Sequence, residues 1–203
     1  MNRLLAALFV LTCCFAEAQQ VITRTYVVEP GGDLQGADLY EANLNGANLR
    51  GIELDYAYLR YATLKGADLF DASLAEATLL HTDLSGANLR DAFLEDADMS
   101  FSNLSGADLR DACLWGVNFK GANLSGANFS GAQLTAAILW DATITGANFS
   151  GALFRNADLS FVNLSEAILT CLRPGQPKYM EAGYIFEPDP DCSEPDRYRI
   201  VPE

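Results

Sequence analysis

The chain is poor in the residues on which most active sites depend. It has one histidine, His81, among 203 residues, so no histidine cluster for a metal and no Ser-His-Asp arrangement with family spacing can be assembled. Lysine and arginine number 13 against 27 aspartates and glutamates, which gives a net charge of −14 and argues against direct binding of nucleic acid or of anionic membranes. Glycines with phosphate-binding spacing are also missing. We therefore predict a protein that is not an enzyme, with no catalytic residue, no metal site and no cofactor.

Long apolar runs are missing after the first eighteen residues. Arg3 provides a short positive start, Leu4 to Phe15 is apolar, and Ala16-Glu17-Ala18 has the small-x-small form of a cleavage site. Because the apolar run is too short to span a membrane, residues 1–18 are predicted to be a secretory signal peptide. An ordinary N-terminal helix and a lipid anchor at Cys14 are the alternatives. Export to the periplasm or the extracellular space is expected, or to the thylakoid lumen if the source is cyanobacterial.

Few cysteines would remain after such a cleavage: Cys113, Cys171 and Cys192. Export implies an oxidising compartment, in which thiols pair. Cys171 and Cys192 bracket the non-repetitive end of the chain, so we expect a disulfide between them, worth about 3 kcal/mol by loop-closure entropy. Three free thiols are the alternative.

The chain shows a period of five residues, which matches neither a helix nor a strand. Leu or a substitute stands at every fifth position from Leu34 to Leu169, in twenty-eight consecutive units such as Ala47-Asn48-Leu49-Arg50-Gly51. Alanine stands two residues before the central residue in twenty-two of these units. We expect the central Leu and this Ala to point inward together and fill a narrow core.

A second period of twenty residues is superimposed on the first. Every fourth unit carries similar residues after its centre: Asn45-Gly46, Lys65-Gly66, Ser85-Gly86, Ser105-Gly106, Ser125-Gly126 and Thr145-Gly146. The series that begins at Leu49 differs from this one but is consistent within itself. Four units are therefore predicted to complete one turn of a coil, with like residues stacked from turn to turn and glycine at the corners.

These units resemble those of the pentapeptide-repeat proteins, whose motif is A-(D/N)-L-x-x. The resemblance covers Gly32 to about Cys171. It implies an all-β fold, the right-handed quadrilateral parallel β-helix, with four repeats per turn and about seven turns. We accordingly divide the chain into a signal peptide (1–18), an N-terminal cap segment (19–32), the repeat β-helix (33–170) and a Pro-rich capping tail (171–203).

Three outward surfaces are candidates for binding. One is an aromatic strip, which is typical of binding surfaces but which could equally stabilise neighbouring turns by stacking. The second is a flat series of hydroxyl and glycine residues from Asn45 to Ser165. The third is a series of stacked charges, for which surface ion pairing is the simplest interpretation. The strip comprises Tyr40, Tyr58, Tyr61, His81, Phe101, Trp140 and Phe161, and the charged series comprises Arg90, Arg110, Asp71, Asp91 and Asp111.

The leading functional prediction is an exported, non-enzymatic scaffold or protein-interaction module whose partner is another protein. A dimer formed through an end turn or a face is one expected assembly. The resemblance suggests a first alternative, since some pentapeptide-repeat proteins are acidic DNA mimics that bind type II topoisomerases. A second alternative is binding of a lattice, such as ice or a polysaccharide, by the flat hydroxyl surface.

Overall fold

The computed structural model describes residues 9–17, 20–175, 177–180, 184–193 and 197–203, with side chains described from Val28 onward. The first two elements are antiparallel strands, β1 (Phe9–Glu17) and β2 (Gln20–Val28). Strand β1 lies within the predicted signal peptide and β2 within the predicted cap segment. Val28 is buried, and the Gly31 amide donates to the Arg50 carbonyl at 2.8 Å. The chain therefore enters the repeat region already hydrogen-bonded to the following turn.

From Asp33 onward the backbone pairs with itself at intervals of twenty residues. In most units the residue before the central position forms a parallel bridge with its equivalent one turn later, as in Asp33–Glu53, Asp38–Tyr58, Asn43–Thr63 and Asn48–Asp68. Four such ladders run along the repeat region, so the period of twenty seen in the sequence is the pairing period of the backbone. We call the four sides of the coil the first, second, third and fourth, after the units centred on Leu34, Leu39, Leu44 and Leu49.

The interior is filled by the central residues and the alanines that precede them, and nearly all of these are buried. Most of the chain uses Leu with Ala, but the later turns contain four fully buried phenylalanines. Among these, Phe129 and Phe149 stack at 4.8 Å. Thr82 and Ser102 replace alanine inside the coil, and their hydroxyls donate to the backbone carbonyls of Leu59 and Met99. Burying these hydroxyls is tolerated because each has a hydrogen-bond partner.

The corners follow the central residues and require a positive φ at the second position. The Ala47 amide donates to the Leu44 carbonyl at 3.1 Å, which closes a four-residue turn with Gly46 at φ 63°. Glycine adopts this conformation at little cost, as the sequence predicts. However, among the described residues fifteen other than glycine also have positive φ, including Tyr61 and Ala136. The stacked backbone therefore imposes the corner conformation even on residues that disfavour it.

The Asp and Asn of the repeat motif hold the turns. In many units the side-chain Oδ1 accepts a hydrogen bond from the amide two residues later, as Asn103 does from Ser105 at 3.1 Å. Amide side chains also link successive turns, for example Asn123 to Asn103 at 3.2 Å. These Asx turns give most of the polar repeat positions a structural role.

The coil continues beyond the end of the sequence repeat. The amides of Arg173 and Lys178 donate to the carbonyls of Ala152 and Ala157, each at 2.8 Å, in the register of the earlier turns. Strand β3 (Asp158–Leu159) pairs in parallel with β4 (Tyr179–Met180). A short 3₁₀ helix, Leu164–Glu166, lies between β3 and β4 in sequence and interrupts the third side of the coil.

An antiparallel hairpin of β5 (Tyr184–Pro188) and β6 (Tyr198–Pro202) follows. Leu172 pairs with Tyr198, and the Ile200 amide donates to the Leu169 carbonyl at 3.3 Å, so the hairpin packs on the end of the coil. Cys171 and Cys192 form a disulfide with their Cα atoms 5.4 Å apart. The buried Asp189 carboxylate accepts from the Cys171 amide at 2.7 Å.

Candidate functional surfaces

The residues predicted to form the aromatic strip all lie on the second side of the coil or at its corner. Tyr61, His81, Phe101 and Phe161 occupy equivalent corner positions, and Tyr40 and Trp140 stand one position before that corner. Tyr58 stands on the bridged ladder of the same side. The twenty-residue pairing is what brings together residues so distant in sequence.

Four of these rings form one continuous stack. Tyr40 meets Tyr61 edge to face at 5.8 Å, Tyr61 lies parallel to His81 at 5.1 Å, and His81 stacks on Phe101 at 5.4 Å. The stack ends at Gly121, where a methyl group would come within 2.7 Å of the Phe101 ring. The absence of a side chain there lets the Phe101 ring lie over the next turn.

A second, shorter group of rings lies further along. Trp140 and Phe161 meet edge to face at 5.5 Å, and the Lys120 ammonium lies 4.5 Å from the Trp140 ring centre. Phe161 is the most exposed large apolar residue described, at 70%. The strip is therefore divided into two parts by the turn that carries Gly121.

Stacking determines what the longer part of the strip presents to a partner. Neighbouring rings cover part of each other, which leaves Tyr61 and Phe101 44% and 49% exposed. Aromatic contacts contribute about 0.5–1.5 kcal/mol per pair, which is similar to the cost of holding a bulky residue at positive φ. Stabilisation of neighbouring turns thus explains the stacked rings. It does not explain the exposure of Phe161.

Tyr58 stands apart from the stack and lines a shallow pocket of about 330 Å³ with Asp38, Tyr40 and Arg60. The pocket contains a carboxylate, a guanidinium and two phenol rings. A hydrogen bond with Glu41 raises the pKa of Tyr40, and partial burial acts in the same direction.

The charged series on the fourth side does not pair as the sequence interpretation proposed. Among the described residues, the ion pairs on this side use bridged aspartates: Arg110 with Asp108 at 2.6 Å and Arg50 with Asp68 at 3.2 Å. Corner aspartates such as Asp111 directly follow an arginine in sequence. The ladder of alternating charge is replaced by separate pairs, because the bridged position brings its carboxylate closer to the guanidinium. The Arg110 hydrogen bond is the main factor that lowers the pKa of Asp108.

The hydroxyls of the third side are largely engaged within their own turns. Ser125 and Ser165 donate to Asn123 and Asn163 of their own units, each at 2.7 Å, and Thr145 donates to Glu166 of the following turn. A hydroxyl that is already donating to its own turn has less capacity to order a lattice. These contacts favour turn stability as the main role of the third side.

The sequence interpretation did not group three exposed aromatic residues of the first side: Tyr56, Phe93 and Trp115, with exposures of 55%, 45% and 51%. They belong to three different positions of the unit, so no single column of the repeat contains them. All three stand at outward positions of the series that begins at Leu34, and that shared series is the signal for them in the sequence.

In the described ranges, no group of three or more His, Cys, Asp or Glu side chains is arranged to hold a metal ion. No helix in those ranges is long and apolar enough to cross a membrane.

A four-sided parallel coil that presents columns of outward side chains belongs to the β-solenoid class of repeat proteins. The family profile for pentapeptide repeats matches residues 33–69, 67–100, 102–141 and 139–170, in eight copies. The chain therefore belongs to the pentapeptide-repeat family. Proteins of this family adopt the right-handed quadrilateral β-helix and are generally non-enzymatic structural or interaction proteins.

Several solved structures of pentapeptide-repeat proteins are similar to this chain. HetL from Nostoc sp. strain PCC 7120, involved in heterocyst differentiation regulation, is 28% identical over 69% of this chain and 75% of its own, with a TM-score of 0.40. A thylakoid-lumen protein of Arabidopsis thaliana is also 28% identical, over 47% of this chain and 66% of its own, with a TM-score of 0.44. Full-length QnrB1, a plasmid-mediated fluoroquinolone resistance protein, is 19% identical over 71% and 88%, with a TM-score of 0.46. No curated protein matches the chain.

Proposed function

We propose that the chain is an exported, non-enzymatic interaction module that binds another protein through the aromatic strip. The observation that carries this proposal is the exposure of Phe161, at 70%, and of Tyr58, at 56%, on one side of a coil. Exposed rings on a rigid scaffold are favourable anchors for a protein partner, because little conformational freedom is lost when they become buried. About seven turns of a right-handed coil would supply that scaffold.

The strip is tested by replacing Tyr58, Trp140 and Phe161 with Ser and measuring capture of partners from the native compartment by the mature chain. We expect capture to be lost while the coil remains folded. A variant with Tyr179, an exposed ring of the tail, changed to Ser serves as a control and should capture normally. If the triple variant melts earlier but captures normally, the strip only stabilises the coil.

The disulfide between Cys171 and Cys192 supports export, because such bonds persist in oxidising compartments. We propose that residues 1–18 are removed and that the mature chain starts at Gln19. Intact-mass measurement of the protein from its source would detect this start. A chain that retains β1 would contradict the proposal, and a lipid on Cys14 would indicate the anchored alternative.

Binding to a type II topoisomerase is a second candidate function, favoured by the uneven charge of the coil. Residues 33–111 contain fifteen acids and five bases, whereas residues 112–169 contain three acids and two bases. A rod with one acidic half could occupy a DNA-binding groove. Inhibition of gyrase supercoiling by the mature chain would support this function, and unchanged supercoiling at a large molar excess would exclude it.

A further inference from the structure

We propose that the first side of the coil binds an extended segment of a partner polypeptide that is rich in Lys and Arg. The segment would lie across Tyr56, Phe93 and Trp115, the exposed rings of this side. The inference goes beyond the proposed function, because it concerns a different side of the coil from the aromatic strip and is tested independently of it.

The three rings are not covered by neighbouring rings, unlike the stacked rings of the strip. Within the part of the chain that the structure describes, none of them stacks on another aromatic ring. Phe93 is bridged to Cys113, and Trp115 stands two residues beyond Cys113, so the two rings lie on neighbouring turns. The indole Nε1 of Trp115 donates to Gln133 Oε1 at 3.2 Å, which fixes the ring in place. Half-exposed rings that do not stack on other rings can accept a cation.

The charge of the first side specifies the partner. Its outward positions contain six acids between Asp33 and Asp96, and no Lys or Arg as far as Ala136. The other three sides each contain Lys or Arg over the same length. The acids of the first side are Asp33, Glu53, Asp55, Glu76, Glu95 and Asp96.

Hydrogen bonds to Asp33, Glu53 and Asp55 come from neutral groups of the same side. Glu53 accepts from the Gln35 side chain at 2.8 Å, and Asp55 accepts from the Ala75 amide at 2.9 Å. These carboxylates also affect ionisable groups next to them. Glu76 raises the pKa of Tyr56, and Glu95 adds to the effect of burial in raising the pKa of Cys113. The negative charge of this side is therefore not neutralised by cations on the same side.

Carboxylates beside exposed rings match the chemistry of Arg and Lys. A guanidinium can pair with a carboxylate and lie over a ring, and each cation–π contact contributes about 0.5–2 kcal/mol. Tyr56 and Trp115 lie three turns apart, about 14 Å at the interstrand spacing of a sheet. An extended segment of about four or five residues spans that distance. Nucleic acid and anionic lipid would be repelled.

The binding test uses the full mature chain and a fluorescent ten-residue peptide of alternating Arg and Ser, with an alternating Glu and Ser peptide for comparison. We expect saturable binding of the Arg peptide only, weakened by salt. Changing Trp140 to Phe leaves Trp115 as the single tryptophan of the mature chain, and its fluorescence should change on binding.

Two double variants separate the contributions of rings and charge. Phe93→Ser with Trp115→Ser, and Glu76→Gln with Glu95→Gln, should each weaken peptide binding about tenfold or more, equivalent to about 1.4 kcal/mol. Tyr61→Ser with Phe101→Ser, on the strip, is the matched control and should bind the peptide normally. Circular dichroism and melting establish that each variant is folded.

The proposal is overturned if the Arg peptide does not bind saturably, or if binding is unaffected by the loss of Phe93 and Trp115, since the attraction is then charge alone. Self-association of the chain that is abolished by the same two substitutions would show that a second copy is the occupant and would also overturn it. Loss of partner capture by the strip variants leaves this result unchanged, so the two proposals fail separately.

Discussion

In the coil, each turn is held by buried Leu and Ala, whereas the start of the tail continues the backbone pairing by other means, and its interval becomes 21 residues between β3 and β4. Arg173 and Lys178 pair with the last turns at repeat positions, but Pro174 stands where a central Leu would be. In the coil, the amides of the central residues donate to the following turn. No regular turn follows Pro174. A proline at this position therefore loses no hydrogen bond of that ladder and removes a donor from the exposed edge. The hairpin and its disulfide then take the place of a further turn.

This comparison shows that register and core composition are separable. The backbone of one turn is a template for the next, and any sequence that accepts the corners can be added to it. The later turns illustrate the same point from inside, because Phe119, Phe129, Phe149 and Phe154 replace Leu without changing the ladder.

The largest effect should come from removing a ring from the core of the later turns. Phe129→Ala is expected to lower the free energy of unfolding by about 3–5 kcal/mol, because it opens a cavity beside Phe119 and Phe149. Calorimetric melting measures this. Thr135→Ala, on the outside of a neighbouring unit, should change stability by less than about 0.5 kcal/mol. Equal losses for the two variants would contradict the core packing.

Removing the disulfide should affect the tail and leave the coil nearly intact. Cys192→Ser opens a closure of 21 residues, worth about 3 kcal/mol. We expect faster hydrogen exchange in β5 and β6, with exchange in turns around Leu84 unchanged. Reduction of the unaltered chain should have the same effect. Uniformly faster exchange along the whole coil would show that coil and tail unfold as one unit.

Relieving one strained corner should have a smaller effect of the opposite sign. Ala136→Gly is expected to stabilise the coil by up to about 1 kcal/mol, because Ala136 has a φ of 58°. Gly126→Ala is the reverse test, since φ is 67° and a methyl group there meets nothing within 4 Å. It should destabilise by a similar amount. Tyr61→Gly should gain less than Ala136→Gly, because it also loses contacts with Tyr40 and His81.

The smallest effect concerns the thiol of Cys113. Burial, aided by Glu95, raises its pKa from 9.0 to about 11, so the neutral thiol is favoured in the folded chain. The resulting stabilisation is present below pH 9 and is lost as the pH rises through about 11. Alkylation of Cys113 between pH 8 and 9 should therefore be slower than that of an unfolded control. Glu95→Gln should accelerate it, and equal rates with and without Glu95 would contradict its contribution.

Much of the coil was predictable from the sequence, because a strict period leaves few arrangements of Leu34 to Leu169 that bury every central side chain. The pairing of residues twenty apart followed from the second period. The corners at Tyr61 and Ala136 did not, since the preferences of the single residues oppose the conformation that the neighbouring turns impose. The ion pair of Arg110 with Asp108 was not predictable either, because it depends on side-chain geometry within a unit.

The candidate surfaces were less predictable than the fold. The strip was visible because Tyr61, His81 and Phe101 recur at one position of the period. Whether those rings stack or remain uncovered depends on the orientation of their side chains, which the period of the sequence does not determine. The rings of the first side were overlooked because Tyr56, Phe93 and Trp115 never recur at the same position.

The pairing of residues at intervals of twenty has a consequence for how such a chain can change in length. Inserting four units adds one turn and leaves every later column on the side where it was. Inserting a single unit moves all later columns by a quarter of a turn, so that Trp140 and Phe161 would leave the side of Tyr61 and align with the third side. Duplication or deletion of a single unit therefore rotates the later surface columns around the coil axis. Selection to keep a surface intact would favour changes in length by multiples of twenty residues.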